Sequence, residues 1–285
     1  MTGPSDEQAA RAALTGYIHG RSAVERERLL AQAEVLAPVV LDGLALAGTE
    51  RLLELGCGVG AELLHLRRLY PALRLTGIDH DHAQIVAARA NLAAPSAAGA
   101  TRLLCADAAA LPFADGAFDV VLTVWLLEHI SAPAPVMSEA LRVLRPGGWL
   151  WCIEVENASF ALTPLTPAVA AIADWWAAFN AVQARDGDPF VGRQLATLAR
   201  AAGAEAITTA NLSPISSRYR ALDRARQVTY LRDLLLSGAP HLLAAGAVAP
   251  ADVAAVRAAF AALLADPRID LRYFAVRLAC RRSAG

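Results

Sequence analysis

Short apolar runs alternate with segments of helical periodicity between residues 51 and 155. The runs are too brief for helices and are typical of strands buried on both faces of a sheet. The segment after the first run places Leu63, Leu66 and Tyr70 on one helical face. Because right-handed crossovers bring such strands side by side, we predict a parallel sheet with helices on both faces. The predicted strands cover residues 51–55, 73–78, 101–105, 118–124 and 149–155.

The pattern changes after residue 155, where helical segments predominate. Two more strands are predicted there, over residues 204–210 and 271–281. We therefore predict an α/β fold with a doubly wound, mostly parallel, seven-stranded sheet and a helical cap. The helices predicted in this part cover residues 164–184, 192–202, 219–237 and 250–264.

The order of the predicted helices and strands divides the chain into three regions. Residues 1–48 are predicted to form an N-terminal helical lid, broken near residues 16–22 and again at Pro38. Residues 49–157 are predicted to form a cofactor-binding α/β core, and residues 158–285 to complete the sheet and carry the inserted cap. Because ligands of such sheets bind beyond the carboxyl ends of the strands, we expect the site there, in a cavity under the cap.

A glycine-rich turn follows the first predicted strand, in the stretch RLLELGCGVG. Gly56, Gly58 and Gly60 occupy alternate positions between the strand and the next helix. A side chain in this turn would block a ligand from the backbone and from the free N–H groups that begin the helix. Strand, glycine turn and helix together indicate a site for a nucleotide-like ligand.

Composition and charge indicate which partners and which kinds of site are not expected. The 285 residues carry a formal net charge of −1 and contain no dense run of Lys or Arg, so neither nucleic acid nor an anionic membrane is expected as a partner. The four cysteines have no CxxC spacing, and three lie in predicted strands, which favours buried thiols. His80 and His82 point apart on entering a helix, so no metal site is expected. The sequence shows no export signal or membrane-spanning run, and we expect a cytoplasmic protein.

Five stretches occur in a set order: LLELGCGVG, GIDHDHAQI, CADAAALPF, FDVVLTVWLLEH and LRVLRPGGWL. In this order they resemble the motifs of class I S-adenosylmethionine-dependent methyltransferases, over about a third of the chain. GDPFVGRQL and the tail resemble, more loosely, a bacterial group of small-molecule methyltransferases. Glu54 is a departure, since many relatives have aspartate there, but both residues are hydrogen-bond acceptors. The resemblance implies a Rossmann-like fold, S-adenosylmethionine as cofactor, S-adenosylhomocysteine as product and a role in secondary metabolism.

The cofactor needs acceptors for its ribose diol and its adenine amino group. Asp79 lies at the end of the second strand, about 20 residues past the glycine turn, and is placed to accept both ribose hydroxyls. The resemblance implies that Asp107 accepts from the adenine amino group and that the Ala108 N–H faces a ring nitrogen. His80 is expected to pack on the ribose or adenine.

The methionine end of the cofactor needs different partners. By resemblance, Glu54 and the carbonyls near Gly56 and Trp125 hold the ammonium, with Cys57 and Gly58 in the same loop. An N-terminal helix folds over the cofactor in resembling enzymes. Its contacts here are expected to be Tyr17, over the methyl donor, and Arg21, at the methionine carboxylate.

Transfer of a methyl group from a sulfonium is an in-line displacement that depends on alignment and on a dry cavity. A base is needed only if the attacking atom holds its proton tightly. The candidates are His19, His129 and Glu156, and none of them stands out in the sequence.

Other functions fit parts of the pattern. Gly56, Gly58 and Ala61 also match a dinucleotide-binding fingerprint, which would suit an NAD-dependent oxidoreductase, but that function calls for neither Glu54 nor Asp107. A non-methylating relative, such as a cyclase or an aminopropyl transferase, and a methyltransferase of protein or RNA are further alternatives, because fold does not settle function. The favoured function is methylation of a small molecule. Whether O, N, C or S is methylated stays open, as do the acceptor and the oligomeric state.

Overall fold

A sheet of eight strands forms the centre of the protein, in a computed structural model that describes residues 17–93, 101–215 and 224–284. The order across the sheet is β3-β2-β1-β4-β5-β8-β6, and β7 also pairs with β8. The strands are β1 (Arg51–Leu55), β2 (Arg74–Asp79), β3 (Arg102–Cys105), β4 (Phe118–Val124), β5 (Leu144–Val155), β6 (Ala161–Thr163), β7 (Ala204–Ile215) and β8 (Asp270–Arg282).

Helices cover both faces of the sheet and its carboxyl edge. Three 3₁₀ turns also occur in the described ranges, at Leu127–His129, Asn157–Ser159 and Val191–Gln194. The α-helices are α1 (Ala23–Val40), α2 (Ala61–Leu69), α3 (His82–Leu92), α4 (Pro133–Val143), α5 (Pro167–Gln183), α6 (Leu195–Ala201), α7 (Arg224–Ser237), α8 (Ala239–Ala244) and α9 (Pro250–Ala265).

The first five strands are parallel, and the strand order reverses direction between β1 and β4. The crossovers on the two sides of this point run in opposite directions, which opens a crevice beyond the carboxyl ends of β1 and β4. β8 runs antiparallel to β5. The predicted doubly wound, mostly parallel α/β sheet is therefore confirmed, with one strand more than the predicted seven.

The apolar residues of β1 alternate between the two faces of the sheet. Leu52 packs with Leu36, Leu63 and Leu66 in one core cluster, whereas Leu53 packs in a second cluster on the other face. Burial of leucines on both faces explains why the strand reads as a continuous apolar run.

A third core cluster lies under the cap and joins helices that are far apart in the chain. Ile172 and Trp175 of α5, Leu231 of α7 and Phe260 of α9 are all buried in it. The predicted helices of the cap are present, although Tyr219 and the start of the predicted helix over 219–237 lie outside the described residues. Residues 1–16 of the predicted lid lie outside them as well.

One local prediction was wrong, and two short elements were missed. Pro38 does not break the lid helix, because it lies in the last turn of α1 and the helix ends at Val40. The short strand β6 and the short helix α8 were not predicted, since neither is long enough to show a periodicity. β6 exists because residues 161–163 pair with the first part of β8.

Candidate active site

A cavity of about 220 Å³ opens beyond the carboxyl ends of β1, β2, β4 and β5. One wall is the glycine turn and the end of β2. The opposite wall comes from the cap, through Trp176 and Phe179 of α5 and Tyr230 of α7. The segment from Tyr17 to Gln32 contributes a third wall. The cavity is therefore where the sheet topology leads us to expect a ligand.

Most of the predicted site residues line this cavity. Glu54, Asp107, Ala108 and Glu156 are not among the lining residues. Asp107 is exposed and accepts a hydrogen bond from the Ala109 N–H (2.8 Å); its predicted contact with adenine, like that of Ala108, stays a prediction. The lining residues that were predicted are Tyr17, His19, Arg21, Gly56, Cys57, Gly58, Asp79, His80, Trp125 and His129.

The glycines of the turn serve different purposes. Gly56 has φ 69°, and a Cβ there would lie 2.6 Å from the Leu126 side chain. Gly58 has φ 49°, but a Cβ there would meet nothing within 4 Å. Gly56 is thus required by the fold, whereas Gly58 leaves its backbone open to the cavity.

The Asp79 carboxylate is held in place by two backbone donors. Its Oδ2 accepts from the Gly58 N–H (2.9 Å) and its Oδ1 from the Asp81 N–H (2.8 Å). Each oxygen keeps a further lone pair for a ligand hydroxyl. Arg21 lies beside it, because its Nε makes a 2.9 Å ion pair with Asp81. That position is next to the predicted ribose site, and the predicted contact of Arg21 with the methionine carboxylate stays a prediction.

Two carboxyl groups below the glycine turn, those of Glu54 and Glu62, form no ion pair with any residue that the structure describes. Glu54 is 1% exposed, and its Oε2 has no hydrogen-bond partner among the described residues. Burial, with the charges of Glu62 and Asp79, raises the pKa of Glu54 well above its usual range. Burial also raises the pKa of Glu62, which lines the cavity, to about 7. A buried acceptor without a donor, next to a second acid, fits an ammonium group, and the methionine end of S-adenosylmethionine carries one.

The turn after β4 is fixed by a buried glutamate of β5. Trp125 has φ 50°, an unusual value for a residue other than glycine. Glu154 supports this turn, since its carboxylate accepts from the backbone N–H groups of Leu126 (3.0 Å), Leu127 (2.7 Å) and Glu128 (3.3 Å). This support orients Trp125 and Leu126 into the cavity.

The cap side of the cavity is aromatic, and we call it the aromatic pocket. The Tyr17 ring lies 5.2 Å from the His19 ring and 4.7 Å from the His129 ring. Burial and the nearby Arg28 charge lower the pKa of His129 to about 3 and place that of His19 well below its usual range. Both imidazoles are therefore neutral at pH 7. The aromatic pocket is lined by Tyr17, His19, His129, Trp176, Phe179, Tyr230 and Tyr273.

Buried charges around the aromatic pocket are compensated within the protein. Arg28 donates to both oxygens of Glu25 (2.7 Å each), and these contacts keep it charged although burial opposes the charge. Burial and the charge of Glu154 raise the pKa of Glu128 to about 8. Glu128 accepts a 2.6 Å hydrogen bond from Gln183, and its other oxygen lies 3.6 Å from His129 Nε2. Glu128 therefore holds a proton at neutral pH.

Glu156, the third candidate base, lies apart from the cavity. It makes a bidentate ion pair with Arg193. The pair joins the end of β5 to the 3₁₀ turn at Val191–Gln194, and its place outside the lining residues favours a structural role.

Sequence reasoning missed several residues of the cavity wall. Arg28, Gln32 and Glu62 line the cavity, and none of them was predicted as a site residue. A signal existed for Glu62, since it is an acid in the first turn of the helix that follows the glycine turn. Arg28 gave no local signal, because its burial depends on the cap.

The described ranges contain neither a metal-binding cluster nor a membrane-spanning helix. No group of three or more His, Cys, Asp or Glu side chains in residues 17–93, 101–215 and 224–284 is arranged to hold a metal ion. None of the helices in these same ranges combines the length and the apolar character needed to cross a bilayer.

Comparison with known proteins supports the cofactor assignment. Residues 53–152 match the sequence profile of a family described as "Methyltransferase domain". An uncharacterized 37.1 kDa protein in transposon TN4556 of Streptomyces fradiae is 34% identical over 195 residues, which are 68% of this chain and 54% of that protein. The ubiquinone/menaquinone biosynthesis C-methyltransferase UbiE of Dinoroseobacter shibae is 31% identical over 118 residues, 41% of this chain and 47% of that protein. The chain thus spans about half the length of these relatives.

A solved structure extends the similarity beyond the matched domain. The crystal structure of the [4+2]-cyclase SpnF aligns with 100% of this chain and 98% of its own, with a TM-score of 0.55 and 22% identity. At that identity the alignment shows a shared fold and no more.

Proposed function

We propose that this chain, which carries a class I S-adenosylmethionine-dependent methyltransferase domain, methylates a small-molecule acceptor in the cavity under its cap. The observation that carries the proposal is the continuity of that cavity. It runs from Gly58 and Asp79 at the strand ends to Trp176 and Tyr230 of the cap. Cofactor and acceptor would therefore meet in one space, and the cap wall is suited to a small, largely apolar molecule.

The chain's own residues would do three things in this reaction. Asp79 would hold the ribose diol, and Glu54 with Glu62 the methionine ammonium. Tyr17, whose hydroxyl donates to Glu25 (3.1 Å), would keep the lid closed and exclude water. When bound, the cofactor supplies a methyl group on a positively charged sulfur. The aromatic side chains of the cap would then align the acceptor, and most of the acceleration of such a displacement arises from this alignment.

A non-methylating function is the second candidate. The similarity in fold to the cyclase SpnF, which extends over the whole chain, favours it. The cofactor assignment is common to both candidates, so only transfer of the methyl group distinguishes them.

Calorimetric titration with S-adenosylhomocysteine, and with NAD in parallel, tests the cofactor site. We expect micromolar binding of the first and none of the second. Incubation with methyl-labelled S-adenosylmethionine and a library of small aromatic alcohols, amines and thiols then tests transfer. Label in a small organic product supports methylation. Tight binding without label transfer to any of these acceptors would favour the non-methylating function.

A further inference from the structure

His19 of the aromatic pocket makes a hydrogen bond that joins the lid to the end of α7. His19 lies on the lid, and its Nδ1 is 2.6 Å from the Ser237 hydroxyl at the end of α7. The Ser237 hydroxyl itself donates to the Leu234 carbonyl (2.7 Å). Because a serine hydroxyl has only one proton, it must accept from His19, and the imidazole is the Nδ1–H tautomer.

The second nitrogen of His19 therefore carries a lone pair. In the described part of the chain, no hydrogen bond is made by His19 Nε2, although the residue lines the cavity. His129 differs, since its Nε2 faces the Glu128 carboxyl at 3.6 Å. Of the two histidines in the aromatic pocket, His19 is the one whose tautomer is fixed by a hydrogen bond and whose second nitrogen has no partner among the described residues.

We propose, building on methyl transfer as the function, that His19 is the general base of the reaction and that the acceptor is an uncharged phenol. The phenol O–H breaks as its proton passes to His19 Nε2. The oxygen forms a bond to the methyl carbon, the carbon–sulfur bond of the sulfonium breaks, and its electron pair stays on sulfur. The proton later leaves from His19 to water, so the products are an aryl methyl ether, a thioether and one proton.

The walls of the aromatic pocket account for the phenol. Trp176, Phe179, Tyr230 and Tyr273 offer ring faces and edges against which a planar apolar molecule packs. A cationic amine is disfavoured, because the Glu25 carboxylate is paired with Arg28 and the Glu128 carboxyl is protonated at neutral pH. A phenol has a pKa of about 10, but its O–H becomes far more acidic as the oxygen bonds to the methyl carbon. An imidazole whose pKa is lowered by burial can therefore still take the proton within the transition state.

Charge balance favours the same step. The cavity holds one positive charge on sulfur before the transfer and one on the imidazolium afterwards, so the transfer adds no net charge to a buried site. The groups facing His19 are Arg28 of α1, His129 after β4, His241 of α8, and Tyr17 on the lid. Burial and the Arg28 charge lower the pKa of His19, which favours the neutral imidazole before the proton is taken.

Phenols of graded acidity test the proposal in the chain of 285 residues. The probes are 4-methylphenol and 4-nitrophenol, which is largely ionised at pH 8, with benzylamine as the amine comparison. For His19→Gln we expect the rate with 4-methylphenol to fall at least about 100-fold, the usual contribution of a general base, and the rate with 4-nitrophenol to fall less than about tenfold. The affinity for S-adenosylhomocysteine should be unchanged. His65→Gln, a histidine of α2 outside the cavity, is the matched control and should behave as wild type.

The pH profile separates a base from a structural role. Wild-type activity with 4-methylphenol should be flat from pH 6.5 to 8.5, because His19 is already neutral there. The variant should instead gain about tenfold per pH unit, as the phenolate population rises. Equal losses of His19→Gln on both phenols, or a flat profile in the variant, would overturn the role of His19.

A readout without turnover tests the tautomer. In ¹⁵N-histidine NMR spectra of wild type, the signals lost in His19→Gln should show a neutral Nδ1–H ring between pH 6 and 8. Ser237→Ala, a positioning variant, should mix the tautomers and lower the rate with 4-methylphenol. A neutral Nε2–H ring in wild type would contradict the proposal.

The outcomes also separate this inference from the proposed function. Methylation of benzylamine but of neither phenol would leave methyl transfer intact and overturn the phenol and its base. Failure to bind S-adenosylhomocysteine would instead remove the proposed function itself. Methylation at a ring carbon rather than at oxygen would overturn the assignment of the acceptor atom.

Discussion

Glu54→Gln should change cofactor affinity and apo-protein stability in opposite directions. Glu54 is 1% exposed, and its Oε2 has no partner among the described residues. A buried carboxyl group without a hydrogen-bond donor lowers the stability of the apo protein. The same group contributes favourably to the binding free energy once a cation binds. Glutamine keeps the shape of the side chain, removes the ionisation and replaces one acceptor oxygen by an NH2 donor.

The loss of cofactor affinity follows from the contact that Glu54 would make. A hydrogen bond between a carboxylate and an ammonium contributes about 1.5 to 3 kcal/mol. Its loss corresponds to S-adenosylhomocysteine binding that is about 10- to 150-fold weaker. Wild-type affinity should also fall as the pH drops below 7, because binding requires ionised carboxyls and burial raises the pKa of Glu62 to about 7.

The gain in apo stability follows from the sign of the pKa shift. Burial raises the pKa of Glu54 in the folded state above the value of 4.5 that it has when unfolded. The unfolded chain therefore releases its proton at lower pH, and wild-type stability falls as the pH rises from about 4.5 through the folded pKa. Glutamine has no such loss, so the stability advantage of the variant should be small at pH 5 and larger at pH 8.

Calorimetric titration and thermal unfolding of apo protein at pH 5, 6.5 and 8 measure both effects. Glu34→Gln is the matched control, since Glu34 lies on α1 with its side chain 60% exposed. It should leave affinity and melting temperature close to wild type. An unchanged affinity of Glu54→Gln for S-adenosylhomocysteine, or a lower melting temperature at pH 8, would refute the assignment of Glu54 as the ammonium acceptor.

Three further predictions concern the cofactor, the core and the thiols. Asp79→Ala should weaken S-adenosylhomocysteine binding by about 2 to 3 kcal/mol, roughly 30- to 150-fold in calorimetry, and an unchanged affinity would contradict its role at the ribose. Trp175→Ala should cost about 3 to 5 kcal/mol in urea unfolding, because the ring is buried and its N–H donates to the Leu235 carbonyl (3.0 Å); the half-buried Trp149 is the comparison, with a smaller expected loss. A thiol reagent should modify Cys105 alone in the native protein, since the other three cysteines are buried, and Cys105→Ser should abolish the fast reaction.

The α/β core could be predicted because its signals are local. β1 reads as a strand because both of its faces are buried, and the glycines after it reveal the turn. Asp79 could be placed because the end of a strand in a parallel sheet lies at the ligand edge whatever the rest of the chain does. Such reasoning was wrong for Cys105, which was expected to be buried. Cys105 is the last residue of β3, and its side chain is exposed.

The aromatic pocket could not be assembled from sequence. His19 and Ser237 are separated by 218 positions, and their contact exists only because α7 packs against the lid. Arg28 belongs to a helix whose charged residues look solvated, yet it is enclosed once Tyr230 and the lid cover it. Candidate bases could be named from residue type, but their rank depended on burial, tautomer and neighbours, which tertiary contacts determine.

The two sides of the cavity have different electrostatic tasks, and this difference bears on where rate acceleration can arise. Glu62, Asp79 and Asp81 line the cofactor side, with Arg21 as a partial counter-charge, and Glu54 is buried behind them. Acidic groups there favour a cationic cofactor before reaction, and an interaction that stabilises the ground state as much as the transition state does not raise the rate. Positive charge leaves sulfur during the transfer, so these groups even lose part of their favourable interaction. The acceleration must therefore come from the aromatic pocket, where alignment against the rings and removal of the acceptor proton are effective only as the new bond forms. Variants of the acidic wall should accordingly act on cofactor affinity, and variants at His19 on the rate at saturating cofactor.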